Sequence, residues 1–377
     1  MKASWDIFCT VVDNYGDIGV TWRLARQLVA EHGVAVRLWV DDLAAFVRLC
    51  PAADLAAAQQ WQQGVEVRQW SRPWQATPTA DVVIGAFACQ LPVEYVEALQ
   101  QRAHPALWLN LEYLSAEDWV EGCHGLPSPQ AGGLRKVFFF PGFTDRTGGL
   151  LRESGLLERR DAFQTDPVAR ARFLRTLGVQ VQPDARLISL FAYENARLAS
   201  WLDALASQGS PVHLLVPDGR VVSDVQAWLD ERPLAVGDVR HKGGVTVQIL
   251  PFVSQDDYDR LLWSCDFNAV RGEDSFVRAQ WSGQPMLWHI YVQDENAHWE
   301  KLDAFLAHYR RGLSEQAGEA LVGLWQAWNM DQDMAPAWRE AMAHWDELQQ
   351  HARRWCLEQA ARPDLATTLV QFYRNWL

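Results

Sequence analysis

The sequence predicts an α/β protein made of two successive units, each with a parallel sheet and surrounding helices. Apolar, β-branched runs of strand length alternate with helical segments in two separate series, which is the pattern of repeated βαβ units. The chain has 377 residues, which is long for one ordinary core and suits two domains. Hydrophobic residues make up 49% of the chain, so large cores can form.

The first series begins with a buried strand predicted at Trp5–Val12 and a loop rich in turn-forming residues. A helix is predicted at Val20–His32, where apolar residues recur at helical spacing and Gly33 ends the segment. A parallel βαβ unit places ligands at the carboxyl ends of its strands. The other elements predicted in this series are strands at Val34–Val40, Val65–Gln69, Asp81–Ala86, Ala106–Leu111 and Val137–Phe140, and a helix at Val93–Gln101.

Residues between the two series are predicted to form a long loop, Thr144–Thr165, and a helix, Asp166–Leu177. A Pro-containing linker follows and ends near residue 184. We therefore predict an N-terminal domain of residues 1–184 and a C-terminal domain of residues 185–360. The last helix, in residues 361–377, is apolar enough to pack back on the N-terminal domain.

The second series repeats the alternation of strands and helices. Ser254 is predicted to cap a helix that ends at Ser264, with Asp257 at the capping-box position. The chain is predicted to be helical from Asn296 onward, with breaks at Pro336 and Pro363. The remaining predictions are strands at Leu187–Phe191, Val212–Val216, Val245–Leu250, Phe267–Val270 and Met286–Ile290, and helices at Ala196–Ser207, Val221–Leu229, Phe276–Trp281 and Leu365–Trp376.

Charge and cysteine content exclude several classes of protein. The net charge is −13 and the Lys and Arg residues are scattered, so a general nucleic-acid binder is not expected. None of the six cysteines has a zinc-binding or CxxC spacing, which indicates free thiols in a reducing cytoplasm. No signal peptide and no apolar stretch of transmembrane length is recognised, so a cytoplasmic protein without membrane contact is predicted.

The segment Arg271–Ser275 follows a short apolar strand and precedes a helix. A strand, a tight glycine turn and a helix start form an anion site, because backbone N–H groups and the helix dipole meet there. Arg271 would add a cation whose planar fork fits a phosphate, and Asp274 or Ser275 suits the N-cap position. The alternative is an ordinary capped helix with a surface pair between Arg271 and Glu273.

The segment Asp13–Gly19 follows the first predicted strand. It contains neither a dinucleotide-binding fingerprint nor a P-loop, so an NAD-dependent oxidoreductase is disfavoured. Asp13 and Asp17 lie on either side of a glycine turn, where two carboxylates are well placed to contact an acceptor, and Asp17 is a candidate general base. The alternative is a solvated loop rich in Asx turns.

Two resemblances follow from these motifs. The ordered pattern from Phe252 to Ala297 resembles the donor-binding half of GT-B glycosyltransferases, which have two Rossmann-like domains facing a central cleft. Asp13–Gly19 together with Arg271–Ser275 closely resembles the EarP family of protein-arginine rhamnosyltransferases, and this resemblance runs the length of the chain.

The family resemblance implies transfer of rhamnose from dTDP-β-L-rhamnose to an arginine of translation elongation factor P, with inversion at the anomeric carbon. It implies that Asp13, Asp17 and Glu273 are the functional carboxylates. It makes residues 1–184 the acceptor side and residues 185–360 the nucleotide-sugar-binding side. Because Arg271 and the helix start at Ser275 could stabilise the leaving dTDP without a metal, we expect no metal and no cofactor beyond the donor substrate. The residues that it places around the donor are Asn14, Tyr15, Gly16, Asp17, Tyr193, Phe252, Gln255, Arg271, Gly272, Glu273, Asp274 and Ser275.

The residue types suit this chemistry. A guanidinium is always protonated in water and is a poor nucleophile, so a carboxylate must hold it and accept a proton. We assign this role to Asp17, with Asp13 orienting the guanidinium, although the sequence leaves the choice between them open. The tripeptide Asp331–Asp333 matches a DxD metal motif but lies in a predicted helix–helix loop. The alternative functions are a GT-B-like nucleotide-sugar epimerase and a non-catalytic adaptor that binds a translation factor.

Overall fold

The structure, a computed structural model, describes residues 2–12, 15–70, 73–182, 184–230 and 233–376. The chain divides into two compact units. The N-terminal unit comprises Met1–Ser154 and Gln359–Leu377, and the C-terminal unit comprises Gly155–Glu358. Each unit is built around its own mainly parallel sheet, as the alternating sequence pattern predicts.

The N-terminal unit contains an eight-stranded sheet in the order β3-β4-β2-β1-β5-β6-β8-β7. Only the two outermost pairs, β3–β4 and β7–β8, are antiparallel. The central strands are buried on both faces, which explains why their sequences are mainly apolar. The strands are β1 (Ser4–Cys9), β2 (Ala35–Val40), β3 (Gln59–Gln62), β4 (Val65–Gln69), β5 (Val82–Ala86), β6 (Leu107–Leu111), β7 (Pro127–Pro129) and β8 (Arg135–Phe139).

The helices of the N-terminal unit include the last helix of the chain, which packs against α1. The backbone N–H of Leu365 donates to the carbonyl oxygen of Leu150 at 3.0 Å and fixes the start of that helix. This helix therefore belongs to the N-terminal unit, as the sequence predicts. The helices are α1 (Gly16–His32), α2 (Leu43–Leu49), α3 (Val93–Gln100), α4 (Trp119–Cys123) and α15 (Leu365–Trp376).

The C-terminal unit contains a six-stranded sheet in the order β11-β12-β10-β9-β13-β14, in which only β11 is antiparallel. The strands are β9 (Arg186–Leu190), β10 (Val212–Pro217), β11 (Val239–Lys242), β12 (Val245–Leu250), β13 (Phe267–Arg271) and β14 (Met286–His289). The helices are α5 (Leu156–Thr165), α6 (Pro167–Thr176), α7 (Leu198–Ser207), α8 (Val222–Leu229), α9 (Gln255–Ser264), α10 (Glu273–Ser282), α11 (Ala297–Tyr309), α12 (Glu315–Asn329), α13 (Met334–Ala343) and α14 (Trp345–Ala360), whose last two residues belong to the N-terminal unit.

The boundary between the units lies at residues 154–155 rather than near residue 184. The predicted loop at 144–165 was wrong in its second half, because α5 is helical there. Helices α5 and α6 both pack on α9. Phe173 and Leu174 of α6 lie in one hydrophobic cluster with Leu187 of β9. This shared core assigns both helices to the C-terminal unit.

Pro336 does not end a helix, contrary to the expectation from the sequence. It lies in the first turn of α13, where the missing N–H of proline has no helical partner to lose.

Within the part of the chain that the structure describes, no helix is both long and apolar enough to span a bilayer. All six cysteines are free.

In each sheet the strand order reverses beside the first strand of the unit. In the N-terminal unit β1 lies between β2 and β5, and in the C-terminal unit β9 lies between β10 and β13. Open parallel sheets bind ligands at the carboxyl ends of strands at such a switch point. The two motifs singled out in the sequence follow β1 and β13.

Candidate active site

The acidic motif lies at the switch point of the N-terminal sheet, between β1 and α1. Asp13 and Asn14 are outside the described residues. Tyr15 is the N-cap residue of α1, Gly16 begins the helix, and Asp17 lies in the first turn. This helix begins four residues earlier than the sequence predicted, so Asp17 is part of the helix and not of a loop.

The Asp17 carboxylate is buried, with an exposed fraction of 3% for the residue. The backbone N–H of Val12 donates to Oδ2 at 2.8 Å, and the hydroxyl of Tyr113 donates to Oδ1 at 3.2 Å. One of these contacts orients each carboxylate oxygen. Asp17 is thus held as a fixed carboxylate at the sheet edge.

Tyr113 and Phe87 were not identified from the sequence. Each follows the carboxyl end of a neighbouring strand, Phe87 after β5 and Tyr113 after β6. Their rings stack with centroids 4.5 Å apart and an interplanar angle of 20°. Phe87 has a φ of 56°, a costly conformation for a residue with a side chain. The sequence signal was the presence of aromatic residues just after two predicted strands of the same sheet edge.

The cationic motif lies at the switch point of the C-terminal sheet. Arg271 is the last residue of β13 and has an exposed fraction of 5%. Its guanidinium carbon lies 4.6 Å from the ring centroid of Phe191 and 4.8 Å from that of Tyr193. Both aromatic residues follow β9, the strand paired with β13. The predicted site residues Arg271 and Tyr193 are therefore adjacent, and Phe191 is a neighbour that the sequence analysis missed.

Gly272, and not Asp274 or Ser275, is the N-cap residue of α10, so that prediction was wrong. Gly272 has φ 64° and ψ 177°, a region that essentially only glycine occupies. Its carbonyl oxygen accepts a hydrogen bond from the indole Nε1 of Trp288 at 3.1 Å. Because glycine has no side chain, no capping oxygen covers the first turn of α10 from the N-cap position.

Three of the remaining predicted donor residues lie in the first turn of α10, and Gln255 contacts that turn. Glu273, Asp274 and Ser275 are all partly exposed there. The amide nitrogen of Gln255, at the start of α9, donates to Asp274 Oδ2 at 3.3 Å. Phe252 is half-buried and follows β12 on the same strand-end edge.

His289 ends β14 directly opposite Arg271 in the strand register. Its ring meets that of Tyr193 edge-on, with centroids 5.3 Å apart. Burial lowers the pKa of His289 to about 4, and the positive charge of Arg271 adds to this effect. His289 is therefore neutral near pH 7, and the Arg271 guanidinium remains the dominant charge at the end of β13 and β14.

The DxD tripeptide has a structural role. Asp333 caps α13 by accepting a hydrogen bond from the Ala335 N–H at 3.0 Å. Among the residues that the structure describes, no three His, Cys, Asp or Glu side chains are grouped so that they could hold a metal ion.

Comparisons with known proteins show which fold this arrangement belongs to. The chain is 14% identical to a structure of TcCGT1 in complex with UDP, with a TM-score of 0.52 and coverage of 100% of this chain and 99% of the other. That similarity shows the fold alone. The two mainly parallel sheets, with the candidate residues at both switch points, have the architecture of the GT-B fold.

The particular family is shown by three closer matches. Residues 5–374 match the family described as elongation factor P (EF-P) rhamnosyltransferase EarP. The chain is 74% identical to a protein-arginine rhamnosyltransferase of Pseudomonas putida over 377 residues, with full coverage of both chains. A solved structure described as the structural basis for EarP-mediated arginine glycosylation of translation elongation factor EF-P is 58% identical, with a TM-score of 0.73 and full coverage of both chains. The chain belongs to the EarP family of elongation factor P rhamnosyltransferases.

Proposed function

We propose that this protein transfers L-rhamnose from dTDP-β-L-rhamnose to an arginine side chain of elongation factor P, with inversion at the anomeric carbon. Family membership over residues 5–374 supports the reaction and the protein acceptor. The observation that carries the donor assignment is Arg271, whose guanidinium packs against two aromatic rings beside the start of α10. This arrangement suits the diphosphate of a nucleotide sugar.

The donor diphosphate binds at Arg271 and the first turn of α10. The guanidinium and the N-terminal N–H groups of the helix oppose the negative charge that grows on the leaving dTDP. Tyr193 and Phe252 supply aromatic surface for the thymine ring. Glu273, which is partly exposed in the first turn of α10, holds a hydroxyl of the sugar.

Asp17 binds the acceptor guanidinium and accepts its proton. A guanidinium nitrogen forms the new bond to the anomeric carbon while the bond from that carbon to the diphosphate oxygen breaks. The proton released from the nitrogen passes to the Asp17 carboxylate, and dTDP leaves with the electron pair. The hydrogen bonds from Val12 and Tyr113 keep Asp17 oriented for this step. Asp13 supports the same guanidinium.

The two alternative functions lack a comparable observation. An epimerase would consume the nucleotide sugar without a protein acceptor. An adaptor would not need Arg271 and Asp17 to be held by oriented partners at both switch points. A cytoplasmic location fits an acceptor that is a translation factor, and it fits six free thiols.

The direct test is intact-mass analysis of elongation factor P after incubation with this protein and dTDP-rhamnose. We expect one deoxyhexose increment, localised to a single arginine by fragmentation. An acceptor with that arginine changed to lysine serves as the control and stays unmodified. Loss of dTDP-rhamnose without any mass increment on the acceptor would instead support the epimerase function.

Excess EDTA is expected to leave the transfer rate unchanged. Arg271 and the N-terminus of α10 supply positive charge where many other glycosyltransferases use a divalent ion. The rate is compared with and without EDTA at saturating donor. A rate that falls with EDTA and returns when a divalent ion is added would contradict the metal-free reaction.

A further inference from the structure

The N-terminal unit contains a pocket beside Asp17 that the proposed reaction does not use. It has a volume of about 460 Å³, which lies in the range of ligand-binding pockets, roughly 300–1,000 Å³. The loops that follow β1, β2, β4 and β5 form its walls, so it opens at the same strand-end edge as the acidic motif. The lining residues that matter here are Thr10, Val12, Asp41, Trp70, Phe87 and Gln90.

Two of these residues join the pocket to Asp17. The backbone N–H of Val12 donates to the Asp17 carboxylate, while the Val12 side chain lines the pocket with an exposed fraction of 67%. Phe87 also lines the pocket and stacks on Tyr113, whose hydroxyl is the second donor to Asp17. Asp17 itself does not line the pocket. A polypeptide that presents an arginine to Asp17 would therefore bring a neighbouring residue to this pocket.

The chemistry of the lining suits a basic side chain with an aliphatic stem. Among the described residues, the lining holds one carboxylate, Asp41, and no Lys or Arg. Asp41 is exposed, and one of its oxygens accepts a hydrogen bond from the Val11 N–H at 3.0 Å. That contact fixes the carboxylate and leaves its other oxygen for a partner. Trp70 and Phe87 add aromatic surface, which attracts cations and packs against methylene groups.

We propose that this pocket binds a second basic side chain of the acceptor protein, close in space to the target arginine. This proposal rests on the proposed function and deepens it by assigning part of the acceptor recognition to residues of the N-terminal unit. The pocket would select acceptors by the charge beside the modified arginine, separately from the sugar donor.

The test compares acceptor kinetics of three variants with those of the full-length wild-type protein, using elongation factor P and dTDP-rhamnose. Asp41→Asn keeps the oxygen that accepts the Val11 N–H but removes the charge. We expect it to raise the KM for elongation factor P by about two- to fivefold, as for an exposed charge pair, with kcat and the donor KM unchanged. Gln90→Lys places a competing cation at the pocket and is expected to act in the same direction. Glu97→Gln removes an equivalent exposed charge from α3, outside the pocket, and is expected to have no effect.

The acceptor side of the test identifies the partner of Asp41. Each Lys or Arg on elongation factor P near the target arginine is changed to Gln in turn. One of these changes is expected to raise the KM of the wild-type protein but not the KM of Asp41→Asn, which is the signature of a direct pair. If the wild-type protein modifies elongation factor P and Asp41→Asn has an unchanged acceptor KM, the pocket proposal is overturned and the proposed function stands. If the wild-type protein modifies no arginine, the proposed function fails and the pocket proposal fails with it.

Discussion

Asp17 illustrates how one carboxylate is oriented by both a local partner and a partner that is distant in sequence. Its two oxygens receive hydrogen bonds from a backbone N–H five residues away and from a tyrosine 96 residues away. The sequence indicated that Asp17 follows a strand, because strand, glycine turn and helix patterns are local. It could not indicate Tyr113, because that contact depends on β5 lying between β1 and β6 in the sheet.

Replacing Asp17 with Asn is expected to abolish transfer and to leave donor binding intact. The amide cannot accept the proton of the acceptor guanidinium, and its NH2 group would face one of the two existing donors. A fall in kcat of about 10²–10⁴-fold is typical for loss of a general base. Rates are measured by intact mass of elongation factor P, and donor binding by calorimetry. Glu97→Gln is the matched control, and full activity of Asp17→Asn would remove Asp17 as the base.

Replacing Arg271 with Ala is expected to weaken donor binding. The Arg271 guanidinium is nearly buried beside Phe191 and Tyr193. Its loss removes a charge-assisted contact with the donor phosphate that is worth about 1.5–3 kcal/mol, so the donor Kd should rise roughly 10–100-fold. Arg271→Lys keeps the charge but not the planar fork, so it should recover only part of the affinity. Thermal unfolding of each variant checks that the fold is preserved. A donor Kd equal to that of the wild-type protein would refute the phosphate role.

At the scale of elements, the sequence predicted best where one local pattern decides the structure. The predicted bounds of Val65–Gln69, Val245–Leu250 and Leu365–Trp376 agree with the strands and the helix that the structure contains. The edge strand Gln59–Gln62 was missed because it has no alternation of apolar and polar residues. Helix α5 was missed because one of the charged residues in its middle, Arg160, is buried, so the helix shows no apolar periodicity there. The Arg160 guanidinium donates a hydrogen bond to the Trp281 carbonyl oxygen at 2.9 Å.

Helix α10, which carries the proposed phosphate site, is held to α9 by a buried ion pair. Arg278 donates from Nε to Asp259 Oδ1 at 2.9 Å and from Nη2 to Oδ2 at 2.6 Å. Both residues are buried. Because the pair is bidentate and lies one turn behind the first turn of α10, it fixes the helix start against α9.

Replacing Arg278 with Ala is expected to lower the free energy of unfolding by about 3–5 kcal/mol, since it leaves the Asp259 carboxylate buried without its ion-pair partner. Arg260→Ala is the matched control, because the exposed pair of Arg260 with Asp257, 2.9 Å apart on α9, is worth only about 0–1 kcal/mol. Chemical denaturation of both variants measures the difference. Equal losses in the two variants would show that burial of the pair does not matter.

At the scale of the whole molecule, both units use the same arrangement. Each places its candidate residues where the strand order of a parallel sheet reverses, beside β1 in one unit and beside β9 in the other. The alternation of elements predicted this architecture, but the boundary between the units depended on which core received α5 and α6. Composition and periodicity do not encode that choice, because helices of either unit show similar apolar patterns. The roles assigned to the site residues stay predictions until the variants are measured.

Four buried histidines of the C-terminal unit and the half-buried His124 of the N-terminal unit predict acid sensitivity of the protein. Burial is the main cause that lowers the pKa of each of them, and the group comprises His124, His213, His289, His298 and His351. Between the unfolded pKa of 6.5 and the folded pKa of about 4, the unfolded state binds a proton at His289 that the folded state does not. The contribution of neutral His289 to the free energy of unfolding is therefore fully present above about pH 6.5, and it is lost as the pH falls toward 4.

The melting temperature of the wild-type protein is expected to fall as the pH is lowered from about 7.5 to about 5. The melting temperature of His289→Gln is expected to fall less steeply over the same range. His289 alone contributes about 2 kcal/mol of this loss between pH 6.5 and about pH 5. His104→Gln is the matched control, because His104 is exposed and its replacement should leave the slope unchanged. Melting curves of the three proteins across this pH range provide the measurement. A His289→Gln slope equal to that of the wild-type protein would show that this histidine is already charged in the folded state at pH 5, and that burial and the cation of Arg271 do not keep it neutral.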